Sequence, residues 1–160
     1  MYGSKLTPQQ ALQKIKAYCA YQERSHSEVK DKLYAYGLYK NEVENITGEL
    51  IAENYLNEER FAVQFAGGKF RMKQWGRIKI VNELKLRKVS AYNIKIALQE
   101  IDENEYAAVL QKLAVAKWNS LKKEQHLNRE AKTTRYLLQK GFELALIQQA
   151  LQKNKNETRI

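Results

Sequence analysis

Leu33-Tyr34-Ala35-Tyr36-Gly37-Leu38, Leu84-Lys85-Leu86-Arg87-Lys88-Val89 and Leu137-Leu138-Gln139-Lys140-Gly141-Phe142 are three copies of one pattern, a helix end that opens on leucine and closes on an apolar side chain. Their starts fall 51 and 53 residues apart, and an aliphatic residue (Val43, Ile94, Ile147) stands six positions after Gly37, Lys88 and Gly141. A second echo runs from Leu56-Asn57-Glu58-Glu59-Arg60-Phe61-Ala62 to Ile101-Asp102-Glu103-Asn104-Glu105-Tyr106-Ala107. Self-similarity at this period marks a tandem array whose neighbouring units share their apolar faces.

The segments between these signatures are helical in spacing. Thr7, Pro8 and Gln10 open a first helix with the stripe Leu12, Ile15, Cys19, and Ser25 with Glu28 opens a second over Val29, Leu33 and Tyr36. Gly37 closes it as a left-handed cap, and Val43, Ile46 and Leu50 carry the third stripe. Asn57 caps a fourth helix whose buried face is expected to be Phe61, Phe65 and Met72, with Gly67-Gly68 marking a kink or a close backbone crossing. The fifth stripe is Ile78, Ile80, Val81, Leu84; the sixth runs from Ser90 through Ile94, Ala97 and Leu98; the seventh, capped by Asp102, is Tyr106, Leu110, Leu113. An eighth is expected from Asn128 through Ala131, Thr134 and Leu138, and a ninth over Leu144, Ile147 and Leu151. The reading is all-α: three tandem three-helix repeats, residues 1–55, 56–101 and 102–152, stacked into an elongated, curved array, with a frayed polar tail at 153–160.

Composition agrees and narrows the chemistry. One proline and seven glycines in 160 residues leave few breakers for a sandwich or barrel. The one cysteine, Cys19, cannot form an internal disulfide, and two histidines a century of residues apart make no metal cluster, so a reducing cytoplasm and no cofactor are expected. No window approaches a membrane span, and the start at Met1 lacks an apolar leader core. The net charge of +10 is unevenly spread: residues 1–60 hold eight basic and nine acidic side chains, so the excess lies entirely beyond them. Its densest runs contain Lys69, Arg71, Lys73, Arg77, Lys79, Lys85, Arg87 and Lys88, then Lys122, Lys123, Arg129, Lys132 and Arg135. Such a distribution suits an anionic partner.

Tyr55-Leu56-Asn57-Glu58-Glu59-Arg60-Phe61-Ala62, then Arg71, Gly76-Arg77-Ile78, Glu83-Leu84 and the closing Arg135-Tyr136-Leu137-Leu138-Gln139-Lys140-Gly141-Phe142 together resemble the signatures of the bacterial RecX regulatory proteins. Three departures stand out: Glu58 where the family usually has Asp, Arg77 where proline often follows the glycine, and Lys88 where the repeat commonly has glycine. The resemblance implies a modulator, usually an inhibitor, of the RecA recombinase that lies along the groove of the RecA filament on single-stranded DNA. It implies neither catalysis nor a cofactor. The numbered basic residues of those two runs are the expected contacts to filament or DNA, with single-stranded DNA as the ligand, duplex at most at low specificity, and a monomer as the acting species.

Other readings stay open at this level. A free-standing regulator with a helix-turn-helix inside a repeat would dimerise on duplex DNA, and a helical protein-binding scaffold would ignore polynucleotide. Ser25, His26 and Glu28 are the nearest approach to a catalytic cluster, but capping accounts for their spacing. Trp118 is placed in the core, the ten tyrosines mostly in packing between repeats, and Trp75, beside Gly76, is balanced between core and a stacking role.

Overall fold

The computed structural model describes residues 5–158; Met1–Ser4, which the expectation about a leader concerns, and residues 159 and 160 of the expected tail lie outside them. Among the described residues there are nine α-helices and no strand: α1 (Pro8–Tyr21), α2 (His26–Ala35), α3 (Lys40–Ala52), α4 (Glu58–Gly68), α5 (Arg77–Leu86), α6 (Ala91–Gln99), α7 (Glu103–Ser120), α8 (His126–Lys140) and α9 (Leu144–Thr158), with a π-helical segment at Lys69–Lys73 continuing α4. The all-α reading in three-helix repeats is therefore met.

Both capping boxes form. Thr7 and Gln10 exchange side-chain to backbone hydrogen bonds at 3.0 and 3.2 Å, and Ser25 and Glu28 do the same at 3.2 and 3.0 Å. Asn57 Oδ1 accepts the Arg60 N–H and Asp102 Oδ2 accepts the Glu105 N–H, each satisfying a donor that a helix start would otherwise leave unpaired.

The repeated signature is one turn built three times. Leu38, Val89 and Phe142 donate their N–H to the carbonyls of Leu33, Leu84 and Leu137, while Gly37, Lys88 and Gly141 stand at φ of 90°, 60° and 100°. Lys88 thus takes the left-handed form at the cost of crowding its own Cβ. Replacing it with glycine is expected to stabilise the chain by about 0.5–1 kcal/mol, because relief of that crowding exceeds the extra freedom glycine gains when unfolded. A urea midpoint at or below wild type would contradict this, and Lys88→Ala, which keeps the Cβ, should show no gain.

The chain divides into two compact units. One is the chain through Phe65 joined by Leu84–Ala97; the other is Ala66–Glu83 joined by the chain from Leu98 onward. In the first, Ala11, Ile15, Cys19, Val29, Leu33, Leu38, Val43, Ile46, Leu50 and Leu56 form one buried cluster, so the first repeat encloses more of its own core than its length suggests. Here Glu58 Oε2 accepts the Asn93 amide at 2.7 Å and the Ser90 N–H at 3.3 Å, tying the start of α4 to the start of α6. In the second, α7 packs on α8 and α9, and Tyr106 lies between Phe70 and Phe142 with ring centroids 5.8 and 5.3 Å apart.

Four expectations need correction. Met72 is 83% exposed and Phe70 is buried in its place, because i→i+5 bonding after Gly68 retards the helical phase and turns the stripe by part of a turn. Ile78 is 47% exposed, leaving Ile80 and Leu84 as the buried pair of α5. The inner face of α8 is Thr133 and Leu137 rather than Ala131, Thr134 and Leu138, since the helix begins at His126 and Thr133 Oγ1 turns inward to the Arg129 carbonyl. The segment read as a frayed tail continues α9 to Thr158, with Asn154 buried and Lys155 bridging Glu130 at 3.0 Å.

Candidate functional site

The site develops from the disturbance after Gly67 and Gly68. No second backbone crosses there; the Arg71 guanidinium lies over Gly67, 2.8 Å from where a Cβ would stand. The π segment then ends on Gln74, a non-glycine residue in left-handed conformation at φ 57°, ψ 41°. Gln74 and Trp75 donate their N–H groups back to the Phe70 and Lys69 carbonyls at 3.0 and 3.3 Å. On the other side Gly76 N–H donates to the Lys140 carbonyl at 2.7 Å and Ile78 N–H to the Gly141 carbonyl at 2.9 Å. Gly76 is needed for this approach: a Cβ there would be driven into the Gly141 carbonyl and the Phe142 nitrogen. Trp75, half-buried, is consequently held between two fixed stretches of backbone.

Ammonium groups gather around it. Lys69 Nζ and Lys79 Nζ lie 5.0 and 4.7 Å from the indole centroid, within cation–π range. Lys140 Nζ donates to the Lys73 carbonyl at 2.8 Å. Burial, together with the charges of Lys79 and Lys73, lowers the pKa of Lys140 below the ordinary lysine range. Like charges collected beside a half-buried ring raise the local positive potential. Three of the residues expected from sequence, Lys69, Lys73 and Lys79, are brought together here; Lys140 and Trp75 complete the group.

Other expected contacts are placed differently. The Arg77 side chain is 19% exposed: Nη1 pairs with Glu143 at 2.7 Å, Nη2 with Glu103 at 2.6 Å, and the guanidinium lies 3.8 Å from the Tyr106 ring centroid. Its N–H also donates to the Tyr106 hydroxyl at 2.9 Å, and that hydroxyl donates to Glu143. Burial opposes the charge on Arg77, but the Glu143 and Glu103 hydrogen bonds outweigh it and raise its pKa; burial and the Glu143 contact raise that of Tyr106.

Arg129 Nε donates to the Trp118 carbonyl at 2.8 Å with its guanidinium 4.2 Å from that indole, closing the end of α7 much as Arg24 closes α1 on Tyr18. Lys132 pairs with Glu124 at 2.6 Å. Lys122, Lys123 and Arg135 are exposed in this same unit, as is Arg71. Lys85, Arg87 and Lys88 belong to the other unit, where Arg87 lies 3.4 Å from Glu28 and 4.6 Å from the Phe65 ring centroid.

Trp118 is buried, as expected from its stripe. Tyr21, Tyr34, Tyr39, Tyr55 and Tyr92 depart from the packing role expected of most tyrosines, at 37% to 83% exposed. Cys19 is buried and burial pushes its thiol pKa up, the reverse of a reactive cysteine. Ser25 is fully buried and serves the α2 cap. Among the described residues no group of three or more His, Cys, Asp or Glu could hold a metal ion, and no helix is long and apolar enough to cross a membrane.

Three-helix repeats, with lysines clustered about a half-buried indole in one of them, define an all-helical repeat protein. Residues 57–98 match the family model for the second three-helix domain of RecX and residues 103–151 the model for the third. Regulatory protein RecX of Herminiimonas arsenicoxydans is 32% identical over 146 residues, covering 88% of this chain and 90% of that one. The same-named protein of Pelodictyon phaeoclathratiforme is 32% identical over 130 residues, covering 80% and 79%. That of Oceanobacillus iheyensis is 27% identical over 135 residues, which is 84% of this chain but 50% of the longer relative. The crystal structure of RecX from Lactobacillus salivarius superposes with a TM-score of 0.83 at 21% identity over 91% of this chain and 95% of its own, a likeness of fold. The chain belongs to the RecX family of regulatory proteins.

Proposed function

We propose that this chain is a non-catalytic regulator of the RecA recombinase, acting in the cytoplasm as a monomer. It binds the RecA filament on single-stranded DNA and restrains filament extension, ATP hydrolysis and strand exchange. The observation that carries the reading is the gathering of Lys69, Lys73, Lys79 and Lys140 about Trp75, a concentration of positive charge suited to phosphate. Family membership supports the regulatory role, and the near-neutral first repeat suits protein contacts better than DNA contacts.

Adding the protein to RecA on single-stranded DNA should lower ATP turnover and strand exchange; unchanged rates at saturating protein would overturn the reading. Charge reversal at Lys69, Lys79 and Lys140 together should flatten the salt dependence of DNA binding by about two in the log–log slope, at roughly 0.7 per single-strand phosphate contact. Reversal at Lys14, exposed on the first repeat, should leave that slope unchanged.

A further inference from the structure

The lysines account for attraction to phosphate, but not for the way Trp75 is held. The chain leaves α-helical bonding at Lys69, forces Gln74 into a left-handed conformation unfavourable for a non-glycine residue, and seats Gly76 against the Lys140–Phe142 backbone. Departures of this kind persist where the surrounding structure over-determines them, and they collect at binding and catalytic positions. All three converge on one half-buried indole. A tryptophan serving only to fill a core would sit deeper, as Trp118 does at 7% exposure, and would not gather like charges around it.

We propose that Trp75 is a stacking platform for one unpaired base, with Lys69 and Lys79 positioned to take the adjoining phosphates, and that this residue gives the protein its preference for single-stranded over duplex DNA. The proposal rests on the DNA-binding reading above and deepens it. Its selectivity is a matter of access. In a duplex both faces of each base are covered by its neighbours, whereas a single strand can turn a base out onto an aromatic ring. Phosphate contacts by lysine do not distinguish the two forms on their own, because both present the same anionic chain. The indole therefore supplies the discrimination and the ammonium groups supply most of the attraction. Lys69 and Lys79 lie over the ring in the protein alone, so a stacking base takes the place of an ammonium group there, which then swings to the adjoining phosphate.

The test uses the full chain with a single-stranded oligothymidylate and a mixed-sequence duplex of equal length. Oligothymidylate should quench the tryptophan emission of the wild-type protein, and a Trp75→Phe variant, which retains Trp118, should lose that quenching. Trp75→Leu, which keeps apolar bulk but no ring, should weaken single-strand binding about tenfold, the contribution of one stacked base, and shift duplex binding by less than about twofold. Trp75→Phe should retain most of the affinity. Equal single-strand affinity in the Leu variant and wild type, or an equal loss for single strand and duplex, would overturn the proposal. So would unquenched wild-type emission at saturating oligothymidylate, a measurement that needs no variant to fold. If reversal at Lys69 and Lys79 weakens both ligands while Trp75→Leu changes neither, the stacking role fails and the DNA-binding reading stands; if the lysine reversals also change nothing, both fail.

Discussion

Gly76→Ala is expected to cost about 3–5 kcal/mol of stability. The added Cβ has nowhere to go: the atoms it meets are the Gly141 carbonyl and the Phe142 nitrogen, main-chain groups that cannot rotate aside as a side chain would. Relieving the overlap means separating the two strands of backbone, which breaks the bonds from Gly76 N–H to the Lys140 carbonyl and from Ile78 N–H to the Gly141 carbonyl. Overpacking of this sort costs about 1–3 kcal/mol, and each buried hydrogen bond lost adds about 1 kcal/mol. Gly141→Ala should be comparably severe, since its Cβ would strike Lys79 at a φ of +100°. The double variant should fall short of the sum, because each substitution already opens the same crossing. Thermal melts followed by circular dichroism decide the matter; a loss for Gly76→Ala below about 1 kcal/mol would show that the crossing gives way cheaply.

Arg77→Met should follow at about 2–3 kcal/mol. The guanidinium is the shared partner of Glu103 and Glu143 and lies on the Tyr106 ring, so its removal leaves Glu143, itself largely covered, with the Tyr106 hydroxyl alone. Methionine keeps the apolar stem, which confines the loss to the charge and its hydrogen bonds; an unpaired, partly buried carboxylate is the main cost. Lys79→Ala, only two positions along, should stay within about 0.5 kcal/mol of wild type, because it removes a cation from a cluster of like charge and retains the Cβ that touches the turn. Equal melting temperatures for Arg77→Met and wild type would contradict the structural role of the arginine. The contrast separates two basic residues that look alike in sequence: one is paired with acids within the protein and the other lies over an indole among like charges.

How far the sequence could be read varied from element to element for physical reasons. Thr7, Ser25, Asn57 and Asp102 were legible as caps because a cap is a local exchange of hydrogen bonds within four residues. Met72 takes the place of Phe70 in the expected stripe because 3.6-residue periodicity assumes an unbroken α-helix, and neither glycine at 67–68 announces a π turn. The inner face of α8 slipped because Thr133, polar and β-branched, does not register as apolar although its hydroxyl is satisfied by the Arg129 carbonyl. Within the candidate site, Lys69, Lys73 and Lys79 stood out by their density in one run, whereas Lys140 is more than sixty residues away and reaches them only through the Gly76–Gly141 crossing.

By itself the sequence determined the helices, the fifty-residue repeat, and the confinement of the net positive charge beyond residue 60. These follow from propensity, periodicity and capping, which act over a turn or two of chain. Only the tertiary structure decided what surrounds each basic residue. That depends on which acids and rings the fold carries to them: Glu103, Glu143 and Tyr106 claim Arg77, while Lys69, Lys79 and Lys140 are drawn together around Trp75.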